Sequence, residues 1–174
     1  MKKATKIWLI IAAGLVVLGC VFVGCAFAAG GFRLEAFATE SYETHSYTVE
    51  EPFSSLSVEL TTAKIEFCPT DEMCRVVCKE TNSVRYSVAV ENDTLRITES
   101  NTRSWYEYAG IWFESPKITV LLPENQYRSL QLNTKTGDAA IPADFLFESI
   151  QIDGTTASVR CSATALSEIA VRLT

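Results

Sequence analysis

The chain has 174 residues, 48% of them hydrophobic, and carries 21 acidic against 15 basic side chains, a formal net charge of −6 at pH 7. This length allows one folded domain of ~150 residues with an appendage. The acidic balance argues against nucleic-acid binding, which requires a basic face for the phosphates.

An apolar run near the N-terminus is the first predicted element. No charged side chain lies between Lys6 and Arg33. A helix needs roughly 20 apolar residues to cross a bilayer, and lipid forces the backbone amides to pair within the segment. The sequence therefore predicts a transmembrane helix over residues 7–31, preceded by a short segment at residues 1–6.

Charge on either side of this run predicts its orientation. Lys2, Lys3 and Lys6 precede the run, whereas all 21 acidic residues follow it. Because cationic flanks stay in the cytoplasm, we expect a single-pass protein of the cell membrane with its N-terminus inside and the rest outside.

Two other fates of the N-terminus stay open. Ala-Phe-Ala at 26–28 resembles a signal-peptide cleavage site, although the apolar run before it is longer than in most signal peptides. Val-Leu-Gly-Cys at 17–20 resembles a lipidation motif at Cys20, although apolar residues rather than a polar tether follow it. Within the run, Cys20, Gly24 and Ala28 form a small-residue stripe that could support helix self-association.

Beyond the run, the sequence predicts a stalk over residues 32–48 and a β domain over residues 49–174. In the β domain apolar residues recur at every second position, as at Leu56, Val58 and Leu60, which is typical of half-buried strands. No apolar spacing of 3.6 residues persists there, so we expect an all-β domain.

The β domain also contains internal repeats. The segment 129–141 aligns with 149–161 at an offset of 20 residues, which places Leu130 on Ile150 and Gly137 on Ala157. A third copy begins at Glu168, and a degenerate early copy covers 55–67. Each copy is predicted as a strand, a tight turn and a second strand, giving a repetitive stack of the β-solenoid or β-sandwich type, with a plain antiparallel sandwich as the alternative.

The repeat turn consists of Thr136, Gly137 and Asp138. We expect Gly137 to need a positive φ or a close backbone approach at the corner. The third copy has only its first strand before Thr174, which predicts a truncated repeat protein, or else a strand edge open to self-association.

The sequence resembles a bacterial family of membrane-anchored β-repeat proteins that is abundant in Firmicutes such as Clostridia. The resemblance starts with MKKATKIWLIIAAGLVVLGC and continues through FSSLSVELTTAKIEF, C-R-V-V-C, SPKITVLLP and SLQLNTKTGD. It implies a repetitive β fold outside the membrane, adhesin-like by analogy, in a domain of unknown function. The second repeat lacks the Gly and Asp of the turn, which departs from the family pattern.

Three of the four cysteines in the β domain allow either a disulfide or buried free thiols. Cys68 ends one predicted strand and Cys74 begins the next, so a cross-hairpin bridge from Cys68 to Cys74 or Cys78 is one interpretation. The alternative is that they pack as small hydrophobic side chains. Their spacing matches no zinc pattern, and the single histidine, His45, lies in the predicted stalk, so we expect no metal site and no cofactor.

An aromatic stretch between residues 104 and 114 is the candidate recognition loop. Exposed rings stack on sugars or anchor protein contacts, whereas buried rings would plug one end of the stack or rest on a membrane interface. The aromatic residues are Trp105, Tyr106, Tyr108, Trp112 and Phe113.

No set of residues predicts catalysis. One histidine near the membrane cannot serve the scattered hydroxyls and thiols, and neighbouring carboxylates on a strand point to opposite faces. We therefore expect a non-enzymatic, adhesin-like binding or structural module that meets an extracellular glycan, cell-wall or protein ligand. The alternative is a membrane-tethered accessory of envelope-stress or other signalling.

Overall fold

The computed structural model of the chain describes residues 3–29, 42–102 and 116–174. The chain divides into two units, an N-terminal helix and a β domain. The helix, α1, spans Lys3–Ala29. Among the described residues, α1 is the one helix long and apolar enough to cross a membrane, judged by length and composition. Its apolar side chains are exposed, as Trp8 and Phe22 illustrate.

The β domain contains ten strands in the described residues and no helix. In chain order they are β1 Glu43–Thr48, β2 Ser55–Thr62, β3 Lys64–Thr70, β4 Arg75–Glu80, β5 Val84–Glu91, β6 Thr94–Asn101, β7 Lys117–Pro123, β8 Gln126–Ile141, β9 Leu146–Cys161 and β10 Thr164–Leu173. The all-β prediction is confirmed. The sheet begins earlier than predicted, because β1 occupies the end of the segment interpreted as a stalk and includes His45.

Parallel stacking of bent strands organises the domain. The first half of β8 pairs with β2 and its second half with β3, while β9 pairs with β8 along its whole length. β10 then adds to the first half of β9. The pairing path runs β1-β4-β7-β3-β8-β2-β6-β5, so the sheet folds over at the corner where β2 meets β3. This is the β-solenoid-like, sandwich-like stack that the repeats predict.

The sequence repeats coincide with the strand register. Leu130 pairs with Ile150, and Gly137 with Ala157, at the predicted offset of 20 residues. Glu168 pairs with Ser149, so the predicted third copy is also in register. A residue in one copy therefore lies beside its equivalent in the next, as in a solenoid.

Two local predictions were wrong. The repeat is not strand, tight turn and strand, because β8 and β9 each run as one 16-residue paired strand that bends at the corner. The hairpin expected between Cys68 and Cys74 does not form either, because β7 lies between β3 and β4 and pairs with both.

Rows of apolar side chains from successive strands fill the space between the two halves of the folded sheet. One row consists of Val58, Leu132 and Ile152, each fully buried. The row ends at Val171 on β10, which is 47% exposed. Aliphatic burial at about 25 cal/mol per Å² is the main source of stability in such a stack. Self-association through the β10 edge stays a prediction.

Candidate binding groove at the corner of the stack

The corner of the stack depends on a glycine. Gly137 has a φ of 145°, a region that residues with a Cβ rarely adopt. A Cβ at this position would overlap the carbonyl oxygen of Ala63, which occupies the corner of the preceding rung. Both conditions expected for Gly137 are met, so backbone geometry explains this residue without a ligand.

Next to the corner, a row of polar side chains runs across four parallel strands. Glu59 on β2 pairs in register with Asn133 on β8, Asn133 with Asp153 on β9, and Asp153 with Arg172 on β10. Neighbouring strands lie about 4.8 Å apart, so these side chains repeat at that spacing along the stack. Glu59, Asn133 and Arg172 are exposed and Asp153 is half-buried.

Two adjoining hollows follow this row and the corner, with volumes of about 720 and 710 Å³. Thr155 and Thr174 line both hollows, which makes them one continuous open groove, called the corner groove below. The first hollow is lined by the Glu59-to-Arg172 row, and the second by the bend of β8 around Gly137.

A carboxylate on β6 closes one end of the corner groove. Glu99 accepts backbone N–H bonds from Thr61 at 2.8 Å and from Thr62 at 3.1 Å. β6 pairs with β2 only as far as Glu59, so the side chain replaces strand pairing for these two amides. Glu99 therefore has a structural role in addition to lining the groove.

Several groups in the corner groove are free to meet a ligand. Within the described part of the chain, the side chains of Glu59, Asn133, Lys135 and Arg172 have no hydrogen-bond or ion-pair partner. Thr134 is buried, and its hydroxyl also lacks a partner. The groove thus offers carboxylate acceptors, an amide, hydroxyls and two cations in a regular array.

These groups suit recognition of a polar ligand through hydrogen bonds and ion pairs. A general base acts within hydrogen-bond reach of the group it activates, and no such contact between a nucleophile and a base occurs among the described residues that line the groove. In the described residues no group of three or more His, Cys, Asp or Glu is placed to hold a metal ion.

The predicted recognition loop lies outside the described residues. Trp105, Tyr106, Tyr108, Trp112 and Phe113 therefore stay candidates from the sequence alone. The described chain resumes at Pro116, which lines the second hollow and accepts a 2.9 Å hydrogen bond from the amide of Lys64.

All cysteines in the described residues are free thiols. With β7 between β3 and β4, Cys68 lies two strands away from Cys74 and Cys78. Two strand spacings are about 10 Å or more, whereas a disulfide needs Cα atoms about 4.4–6.8 Å apart. Cys74 and Cys78 are buried, and desolvation raises the pKa of each thiol to about 12. The bridge left open by the sequence is not formed, and the two residues pack as small hydrophobic groups.

A family model described as Toastrack DUF4097 matches residues 53–174, which include β2 to β10. The chain belongs to this Toastrack family. This confirms the resemblance to a β-repeat family of unknown function. No curated protein matches the chain.

Solved structures resemble this Toastrack chain at low sequence identity. A candidate cell adhesion protein from Clostridium sporogenes superposes with a TM-score of 0.54 at 10% identity, covering 76% of this chain and 68% of that protein. A candidate adhesin from Parabacteroides distasonis gives a TM-score of 0.43 at 8% identity, and the alignment covers 70% of this chain and 57% of the adhesin. The first likeness supports the fold, and neither carries function across.

The sequence prediction missed the polar row of this Toastrack domain. Glu59, Asn133, Asp153 and Arg172 occupy the same column of the repeat alignment, at the offsets that align Leu130 with Ile150. Comparing the outward-facing polar positions of the repeats, as well as the apolar positions, would have identified these four residues. That they line a groove follows only from the bend of the sheet.

Proposed function

We propose that the β domain is a non-enzymatic, adhesin-like binding module that meets its ligand at the corner groove. The observation that supports this most is the row from Glu59 to Arg172, with polar groups repeated at the strand spacing. Within the described chain the side chains of Glu59, Asn133 and Arg172 have no partner, and Asp153 is bonded only by the neighbouring Gln151. Such an array suits an extended polar ligand, because donors and acceptors recur along it. A glycan or cell-wall fragment has this chemistry.

We place the module on the outer side of a membrane, with α1 as a single-pass anchor. The helix has the length and composition of a span, and the lysines before its apolar part favour an inside N-terminus. The name of the Clostridium sporogenes structure, a candidate cell adhesion protein, agrees with a surface role. The aromatic residues from Trp105 to Phe113 belong to this proposal as a second contact.

The test is a binding screen of the full chain in non-ionic detergent against glycans and purified cell-wall fragments. We expect at least one class to bind and the double variant Asn133→Ala, Asp153→Ala to weaken that binding on the order of tenfold, the loss of about two hydrogen bonds. Trp105→Ala with Trp112→Ala tests the loop separately.

The matched control is Glu148→Ala, an exposed carboxylate on β9 that does not line the groove. It should bind as the unchanged chain does. Absence of binding to every fragment, or binding that the Asn133 and Asp153 changes leave intact, contradicts the role given to the groove.

A further inference from the structure

The folded sheet has a seam where its two terminal strands, β1 and β5, approach each other. Side chains close one end of this seam. The Tyr47 hydroxyl donates to a carboxylate oxygen of Glu80 at 2.8 Å and lies 3.4 Å from the carbonyl oxygen of Tyr86. The same Glu80 oxygen accepts the amide of Tyr86 at 3.4 Å. These contacts connect β1 and β4 to the edge of β5 without strand pairing.

The backbone of β5 shows which groups face the seam. Asn92 and Asp93 both have positive φ and form a two-residue hairpin turn, so the flanking Glu91 and Thr94 are a hydrogen-bonded pair. Counting back by twos, the N–H and C=O groups of Ala89 also face β6. Those of Val88 and Val90 then face away from β6, towards the seam.

The seam-facing backbone groups of β5 are satisfied at one end only. Val84 exchanges hydrogen bonds with Thr81, its amide donating to the Thr81 hydroxyl at 3.0 Å and its carbonyl accepting the Thr81 amide at 2.9 Å. Tyr86 is bonded as described above. No partner occurs for the backbone of Val88 or Val90 on this side within residues 42–102 and 116–174.

At that unpaired end the seam opens into a cleft of about 430 Å³. Val88, Ala89 and Val90 line one side and residues 47–51 the other. Val49 donates its amide to Cys74 at 2.9 Å, so by the same alternation the backbone groups of Thr48 and Glu50 face away from β4. The apolar floor consists of half-buried side chains packed on the core, namely Tyr47, Val49, Val88 and Val90.

The charge of the cleft is acidic. Glu50 and Glu51 are exposed on its rim, and none of the described residues that line it is basic. A strand that entered here would find unpaired backbone groups, an apolar floor for alternate side chains, and carboxylates for basic ones. These are the requirements of β-strand addition.

We propose that this cleft binds an extended, basic peptide segment of a partner protein, which adds a strand at the β5 edge. The inference concerns a different face from the corner groove and does not rest on the function proposed for that groove. A peptide that alternates valine with lysine and threonine has the matching pattern.

The test uses the full chain in non-ionic detergent and a short, acetylated and fluorescently labelled peptide of that alternating sequence. We expect saturable binding by fluorescence anisotropy, together with slower hydrogen exchange of the Val88 and Val90 amides. Glu50→Lys with Glu51→Lys should weaken binding on the order of tenfold by replacing attraction with repulsion. Glu124→Lys, at an exposed position outside the cleft, should leave peptide binding unchanged.

Two control peptides separate strand addition from charge attraction. The same peptide with N-methylated central residues cannot pair with an edge, and a version with glutamate in place of lysine is repelled, so neither should bind. Equal binding of the N-methylated peptide, or unchanged exchange at Val88 and Val90, overturns the proposal. If the Val88 and Val90 amides already exchange slowly in the chain without peptide, the edge is already paired and the proposal is overturned. This holds whether their protection is independent of protein concentration or increases with it.

Discussion

Single residues at the corner decide whether the rungs can stack. Gly137 combines a φ of 145° with contact against the Ala63 carbonyl, whereas Gly154 has ordinary backbone geometry. A Cβ at 154 would meet Leu173 Cδ2 at 2.9 Å and Ala157 Cβ at 3.1 Å, and a flexible leucine end can move. An added methyl group should therefore destabilise the fold more at Gly137 than at Gly154.

We expect Gly137→Ala to lower the free energy of unfolding by about 2–4 kcal/mol, because it adds backbone strain and a clash with a main-chain atom. Gly154→Ala should cost about 1 kcal/mol or less, since side chains can adjust. Urea denaturation of the full chain in detergent, followed by circular dichroism, measures both. Equal losses in the two variants would contradict the role of the φ angle.

Buried thiols give the domain a predictable response to alkali. Desolvation raises the pKa of Cys74 and of Cys78 from 9.0 to about 12. Above pH 9 the unfolded chain therefore loses these protons while the folded chain keeps them. The contribution to stability is fully present below pH 9 and is lost as the pH rises towards 12.

The urea midpoint should accordingly fall as the pH is raised from 9 to 12. Cys74→Ala with Cys78→Ala should lower the midpoint at neutral pH, because it leaves cavities, yet make its alkaline decline shallower. Comparing how steeply the urea midpoint falls with pH in the two proteins separates the effect of thiol ionisation from the effect of lost packing. An unaltered slope in the double variant would show that the thiols are not buried as described.

At the scale of the strand, inward and outward positions alternate along β9. Ile150 on β9 is fully buried and pairs with Leu130 on one side and Ile169 on the other. Gln151 points outward on the same strand and bonds Asp153 at 2.8 Å. Adjacent positions therefore test the alternation that the sequence predicts.

Ile150→Ala should lower the free energy of unfolding by about 2–5 kcal/mol through lost transfer energy and a residual cavity. Gln151→Ala should change it by about 0.5 kcal/mol or less, as an exposed substitution. The same denaturation measurement applies. A large effect at Gln151 with a small one at Ile150 would mean that β9 is shifted by one residue in register.

At the scale of the whole molecule, the prediction concerns α1. Leu15 lies in the middle of its apolar segment and is exposed in the structure. Leu15→Arg should reduce recovery of the chain in the membrane fraction, since an arginine at the centre of a span costs about 2.5–3.5 kcal/mol on insertion. Leu15→Ile is the matched control and should remain in the membrane. Retention of the arginine variant would argue against α1 as the anchor.

The sequence by itself determined the all-β class, the apolar helix and the register of the stack. These follow from local period and from repeats whose equivalent residues, such as Leu130 and Ile150, pair directly. It also predicted the backbone demand at Gly137, where a φ of 145° and the close approach of the Ala63 carbonyl both favour a residue without a Cβ.

Only the tertiary structure decided which strands become neighbours when they are far apart in the chain. β7 lies between β3 and β4, which removes the hairpin that a Cys68 bridge needed, and β1 and β5 end up facing across a seam. The corner groove likewise exists because β8 and β9 bend instead of turning back. Local pattern shows which face of a strand is buried but not which partner covers it, since many partners satisfy the same alternation.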